Sequence, residues 1–252
     1  MTGRSFLLAL ATLACAVLQS CAPAEERGPV VLAASSMQEA LGAAADDWAA
    51  HGHPRPVLSF ASSSAVARQV SEGAPADLVV TSDDRWMRWL EDRNALSGSP
   101  VPLVRNALVV VAPVDGDGPG SLAELAADPD GGRLAMGEPE SVPAGEFARD
   151  ALQSMGLWDE LSPRIAPGEN VRASLALVER GEAALGIVYA SDAAASRRVR
   201  VVERIDTQAH PPIVYYAAQV AGAGHEDTAA FLDYLASPQG RRVLVTKGLA
   251  AP

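Results

Sequence analysis

The chain has 252 residues, 48% of them apolar and 20% charged, which suits one or two packed domains of an ordinary globular protein. Twenty Lys and Arg stand against 31 Asp and Glu, and the formal net charge of −11 excludes a broadly basic surface for nucleic acid. Two cysteines, Cys15 and Cys21, cannot build a disulfide framework, and four histidines without an HExxH pair give no zinc signature. Neither a resident cofactor nor a metal held directly by side chains is expected.

In chain order, residues 1–20 carry Arg4 as their only charge and an apolar run at 6–18 that is too short to span a bilayer comfortably. A basic start followed by a short apolar stretch reads as a secretory signal. It ends in Leu18-Gln19-Ser20-Cys21, which resembles a lipobox with Cys21 as the lipidated first mature residue, although Gln19 is unusual in its slot. Ala22-Pro23-Ala24 offers a second, A-x-A-like cleavage site. Residues 21–27 then form a tether, and the chain beyond residue 20 carries a formal charge of −12. The expected location is extracytoplasmic, in the periplasm or on the outer face of the cell membrane, with a lipid anchor.

Short apolar runs predict strands at 30–33, 57–60, 78–81, 108–112, 134–136, 185–189, 199–202 and 214–220. Most are apolar on both faces, as buried strands are. Amphipathic stretches predict helices at 37–51, 65–72, 84–92, 122–127, 144–155, 172–180, 191–197, 227–236 and 239–247. In the first of these, Met37, Leu41, Ala44, Ala45 and Trp48 share a face. Alternating strands and helices imply α/β architecture with mostly parallel sheets.

Four helix starts stand out. Ser36-Met37-Gln38-Glu39 reads as a capping box. Ser62-Ser63-Ser64 opens the helix after the second strand. Val142-Pro143-Ala144 places Pro at the first helical position and leaves Ala144 a free amide, and Asn170-Val171 pairs an N-cap with another free amide. Unpaired N–H groups and a partial positive charge suit such ends to anions, although every helix needs a cap and the pattern alone is compatible with a purely structural role.

The segments AASSMQEAL (33–41), FASSSAVARQV (60–70), GAPADLVVTSDDRWM (73–87), GEPESVPAGEFARDAL (137–152) and ENVRASLALVERGEAALGIVYASDAAAS (169–196) stand in that order. Together they resemble the molybdate-binding proteins of ABC transporters, from about Val30 to the C-terminus. The resemblance implies the two-lobed periplasmic binding protein fold (type II). Lobe one would comprise residues 28–104 and 216–252, lobe two 105–215, with a two-crossing hinge at 104–107 and 213–216. It further implies an oxyanion held between the lobes by Ser36, Ser63, Ala144, Val171 and Tyr189. Two hydroxyls with their amides, two further amides and one phenol make seven possible donors. Tyr189 falls at a strand end, where α/β proteins bind ligands. Asp77 and Asp192 are assigned capping or lobe-packing roles, and His210 and His225 none.

A set of donors with no carboxylate favours an unprotonated dianion, namely molybdate or tungstate with sulfate as the alternative. The resemblance implies an ABC transporter permease and its ATPase as partners, and a monomer that is not an enzyme. A serine hydrolase would want a G-x-S-x-G elbow and a histidine base, and no serine sits in that motif. Iron would want carboxylate, tyrosine and histidine ligands. A sugar site would want stacked aromatics, which make up only 5% of the chain.

Overall fold

Ten strands alternate with helices along residues 27–252, the part of the chain that the structure, a computed structural model, describes. The signal segment and Cys21 lie outside these residues. The strands are β1 (Val30–Ala34), β2 (Val57–Ala61), β3 (Leu78–Thr81), β4 (Leu96–Asn106), β5 (Leu108–Pro113), β6 (Leu134–Gly137), β7 (Ile165–Gly168), β8 (Leu185–Tyr189), β9 (Val199–Arg204) and β10 (Ile213–Val220). They form two five-stranded sheets, ordered β2-β1-β3-β10-β4 and β7-β6-β8-β5-β9.

The sheets are mixed rather than mostly parallel. β1 runs parallel to β2 and β3, and β6 runs parallel to β7 and β8. β10 is antiparallel to β3 and β4, as β5 is to β8 and β9. Each sheet thus carries a parallel trio extended by two strands that connect the lobes. Ala107 alone separates β4 of the first sheet from β5 of the second, and residues 205–212 lead back from β9 to β10.

Two strands were hidden from the sequence, and proline explains both. β4 reads LSGSPVPLVRN and β7 reads IAPG. Both lie at sheet edges. There a residue without an N–H loses no ladder bond. Edge position also leaves β2 and β9 half exposed, with Val57 at 43% and Val201 at 44%, so these two are not buried on both faces.

The helix Gln38–Ala50 packs the expected stripe. Leu41, Ala44, Ala45 and Trp48 are buried, as is Met37 in the preceding 3-10 turn Ser35–Met37. Burial of a leucine-sized side chain contributes about 1.5–3 kcal/mol. The capping box does not form. The helix start makes no side-chain cap bond. Ser36 Oγ instead meets Tyr215 Oη at 2.7 Å, and Glu39 pairs with Arg172. Long-range partners outbid the local ones because both residues face the cleft between the sheets.

Asp77 does a structural task. Its carboxylate accepts from the amides of Val30, Gly224 and His225, tying the start of β1 to the loop after β10. His225 Nε2 lies 2.6 Å from the Arg27 carbonyl. No helix among the described residues is long and apolar enough to cross a membrane.

Candidate functional site

In both sheets the parallel trio points its carboxyl ends at the same space. Ser36 follows β1, Ser62 and Ser63 follow β2, and Ser82 follows β3. From the other sheet, Ala144 lies beyond β6, Val171 lies beyond β7, and Tyr189 ends β8. All five residues expected from the sequence line one cavity of about 200 Å³ of empty space, its open mouth included. The remaining walls come from Ala34, Ser35, Ala61, Ser62, Ser82, Val142 and Pro143. No ionisable acid or base is among the described residues that line it, apart from the Tyr189 phenol.

Local chemistry sets each donor. Ser62 is the N-cap of helix Ser63–Ser71 and accepts from the Ala65 amide at 3.3 Å, so Ser63 is the first helical residue. Val142 precedes helix Pro143–Ser154, with Pro at the first position and Ala144 at the second. Asn170 caps helix Val171–Glu179, accepting from the Ala173 amide at 3.0 Å. First-turn amides have no acceptor inside their own helix, so those of Ser63, Ala144 and Val171 are available at the cavity.

Two glycines let these helices come close enough. A Cβ on Gly145 would stand 2.2 Å from the Gly137 carbonyl oxygen, and one on Gly168 would stand 2.3 Å from Ser174 Oγ. Real side chains do not fit, so the helix starts press directly on the ends of β6 and β7.

Tyr189 is fully buried, edge-on to Tyr215 at 6.2 Å between ring centres. Its hydroxyl donates weakly to Ser82 Oγ at 3.4 Å. Burial, reinforced by Tyr215, holds its pKa well above the usual tyrosine value, so the phenol keeps its proton. Ser82 lies beside Ser63 as well: its amide donates to Ser63 Oγ at 3.0 Å, and the two hydroxyls are 3.0 Å apart.

Charge sits outside the cavity and joins its two sides. Arg172, next to Val171, reaches across to Glu39 and also bonds the buried Asp192 at 2.5 Å. Burial raises the Asp192 pKa and the Arg172 guanidinium opposes that rise; its Oδ2 has no partner among the described residues. This is the lobe-packing role expected of Asp192. On the opposite flank Arg85 approaches the Glu146 carboxylate to 2.6 Å. Burial pushes the Glu146 pKa up against the pull of Arg85. His210 is buried with Nδ1 2.7 Å from the Pro211 carbonyl and does not line the cavity. No cluster of three His, Cys, Asp or Glu that could hold a metal ion occurs among the described residues.

The sequence reading missed Ser82, Tyr215 and the Arg172 network. Ser82 had a usable signal, because it follows a strand just as Ser36 and Ser62 do. Tyr215 and Arg172 had none, since the Ser36 and Glu39 partners that bring them to the cleft lie more than a hundred positions away.

Two lobes of mixed sheet, with neutral donors converging from strand and helix ends of both, define a two-lobed solute receptor. The chain belongs to the bacterial extracellular solute-binding proteins, whose family model matches residues 29–250. It is 44% identical to the molybdate-binding protein ModA of Escherichia coli (strain K12) over 233 residues, covering 89% of this chain and 90% of that protein. It is 40% identical to the molybdate-binding protein ModA of Haemophilus influenzae over 229 residues, covering 88% and 89%. Its fold matches the periplasmic molybdate-binding protein of Azotobacter vinelandii with a TM-score of 0.78 at 23% identity, over 89% of this chain and 99% of that one.

Proposed function

We propose that this protein captures molybdate, and with it tungstate, in the cavity between its lobes and delivers the anion to an ABC transporter permease and its ATPase. The observation that carries this reading is the ring of Ser36, Ser63, Ala144, Val171 and Tyr189 around one cavity, drawn from both sheets and free of carboxylates. Such a ring offers amide and hydroxyl hydrogens and has no carboxylate to repel an anion. A fully ionised tetrahedral dianion only accepts, so the two match. Hydrogen phosphate carries a proton that would meet no carboxylate there, and a hydroxyl that accepted it would still have its own hydrogen to place. Sulfate shares the charge and protonation of molybdate but is smaller, and the relatives at 44% and 40% identity favour molybdate.

Lobe one comprises the sheet holding β1–β4 and β10, and lobe two the sheet holding β5–β9. Their proposed borders are Ala107 and residues 205–212 in place of the crossings at 104–107 and 213–216 expected from the sequence, since β4 runs to Asn106 and β10 starts at Ile213. Anion bridging both lobes stabilises the closed arrangement, which is the signal a permease reads. The mature protein is a monomer held at the outer face of the cell membrane by lipid on Cys21.

Calorimetric titration of the mature protein with molybdate, tungstate, sulfate and phosphate tests the reading. Molybdate and tungstate bind and raise the melting temperature through mass action. Phosphate at equal concentration does neither. Equal binding of phosphate would refute the donor-only argument.

A further inference from the structure

Asn106 is the last residue of β4, beside the first passage between the lobes, and it has one permitted orientation. Its Oδ1 accepts from the amides of Ala107 at 3.0 Å and Ser191 at 3.4 Å. Backbone amides only donate, so the oxygen end is fixed there and the nitrogen end points the other way. Nδ2 donates to Ser191 Oγ at 2.8 Å and to the Tyr215 hydroxyl oxygen at 3.2 Å. Tyr215 has one hydrogen of its own. Its ring is fully buried, and its other hydroxyl partner is Ser36 Oγ at 2.7 Å. With the phenol oxygen accepting from Asn106, the phenol hydrogen goes to Ser36. The hydrogen of Ser36 is then released toward the cavity that Ser36 lines.

We infer that Tyr215, oriented by Asn106, is a positioning residue that makes the Ser36 hydroxyl a donor toward the bound anion. The inference rests on the oxyanion reading of the cavity. Were the bond reversed, Ser36 would give its hydrogen to Tyr215 and turn only lone pairs toward an acceptor-only ligand. Burial, with Asp192 nearby, raises the Tyr215 pKa and keeps its proton in place at neutral pH. Ser63 has a partly analogous backing, since its Oγ accepts the Ser82 amide at 3.0 Å. The polarity of Ser36 is therefore written outside the site, in a bond between strands β4 and β10 where the chain passes from lobe to lobe.

The test is a double-mutant cycle read by molybdate titration, with each apo protein checked by its melting curve. Ser36→Ala weakens binding by about 10- to 150-fold, as loss of a charge-assisted bond does. Tyr215→Phe keeps the ring and weakens binding by roughly 3- to 10-fold. In the Ser36→Ala background the same Tyr215→Phe change has less than about a twofold effect, because its route to the ligand is gone. A purely structural role for Tyr215 would cost the same in both backgrounds, and that result overturns the inference while leaving molybdate binding intact. An unchanged affinity in Ser36→Ala also overturns it. A wild-type protein that does not bind molybdate refutes the oxyanion reading and the inference together.

A second pair of variants reads the polarity by its sign. Asn106→Asp presents an acceptor to the phenol, draws its hydrogen away and forces Ser36 to donate to Tyr215, so affinity falls. Adding Tyr215→Phe to Asn106→Asp frees the Ser36 hydrogen and strengthens binding at least threefold, opposite to its effect in the wild type. A further loss would overturn the assigned direction of the bond.

Discussion

Asp83 connects the stability of lobe one to the electrostatics of the cleft, and removing its charge should stabilise the protein above pH 6. The residue follows Ser82 and caps helix Asp84–Glu91, accepting from the Trp86 amide at 2.9 Å. It is 8% exposed, and burial pushes its pKa from 3.8 up to about 6, against the Trp86 amide and Arg85, which pull it down. Below about pH 3.8 the carboxyl is neutral in both folded and unfolded chains. Between there and about pH 6 the unfolded chain ionises first, so stability falls as pH rises through the folded value and stays lower beyond it. A rise of roughly two pKa units corresponds to about 3 kcal/mol lost across that window. Asp83→Asn keeps a good N-cap and removes the charge. The neutral amide oxygen gives back part of the gain as a weaker bond to Trp86, leaving about 1–3 kcal/mol at pH 8 and no difference at pH 3.5. Urea unfolding of wild type and variant at intervals from pH 3.5 to 8 measures the difference directly. Parallel stability curves, or a variant less stable at pH 8, would refute the claim that a buried charge at Asp83 costs stability.

Two further substitutions address the proposed donors. Tyr189→Phe keeps the buried ring and removes one hydroxyl. Molybdate affinity should fall about 10- to 150-fold by calorimetry with little change in apo melting temperature, and unchanged affinity would remove Tyr189 from the site. Val171→Pro takes away the amide at the first position of helix Val171–Glu179, where proline suits the backbone and the preceding Asn170 is already extended at φ −158° and ψ 171°. The apo protein should stay folded while binding weakens by a similar factor, and an unfolded apo variant would contradict the helix-start geometry at Asn170.

Strand and helix order was legible because each buried strand is a short apolar run and each helix carries its own stripe, as Val30–Ala34 and Gln38–Ala50 do. Pairing direction was not, because the antiparallel partners of β10 and β5 come from distant segments and leave no local mark. Edge prolines concealed β4 and β7. At the site, Asn170 was legible as a cap because it bonds within three residues of itself, while the serine run was legible only as a helix opening, and the helix begins at Ser63 rather than at residue 65. Ser36 and Glu39 were misread for the converse reason. The S-x-x-E spacing is a local rule, and here Tyr215 and Arg172 supply tertiary partners that the spacing cannot register.

The placement of charge explains how so acidic a protein can hold a dianion without a lysine or arginine against it. Arg172 and Arg85 flank the cavity, and both are engaged with carboxylates: Arg172 with Glu39 and Asp192, Arg85 with Glu146. Glu39 follows β1 and Arg172 follows β7, while Arg85 follows β3 and Glu146 follows β6, so both pairs join elements of opposite sheets. The cations bias the lobes toward each other, and uncharged dipoles are left to meet the ligand. Amides and serine hydroxyls do not titrate near neutrality, and the raised Tyr189 pKa keeps the phenol a donor there. Under the proposed function, protonation of the protein therefore cannot switch the donor set off. Separating the lobes can, because Ser36 and Ser63 depart with one sheet while Ala144, Val171 and Tyr189 depart with the other. Release is then a matter of opening, which a permease can impose mechanically by gripping each lobe.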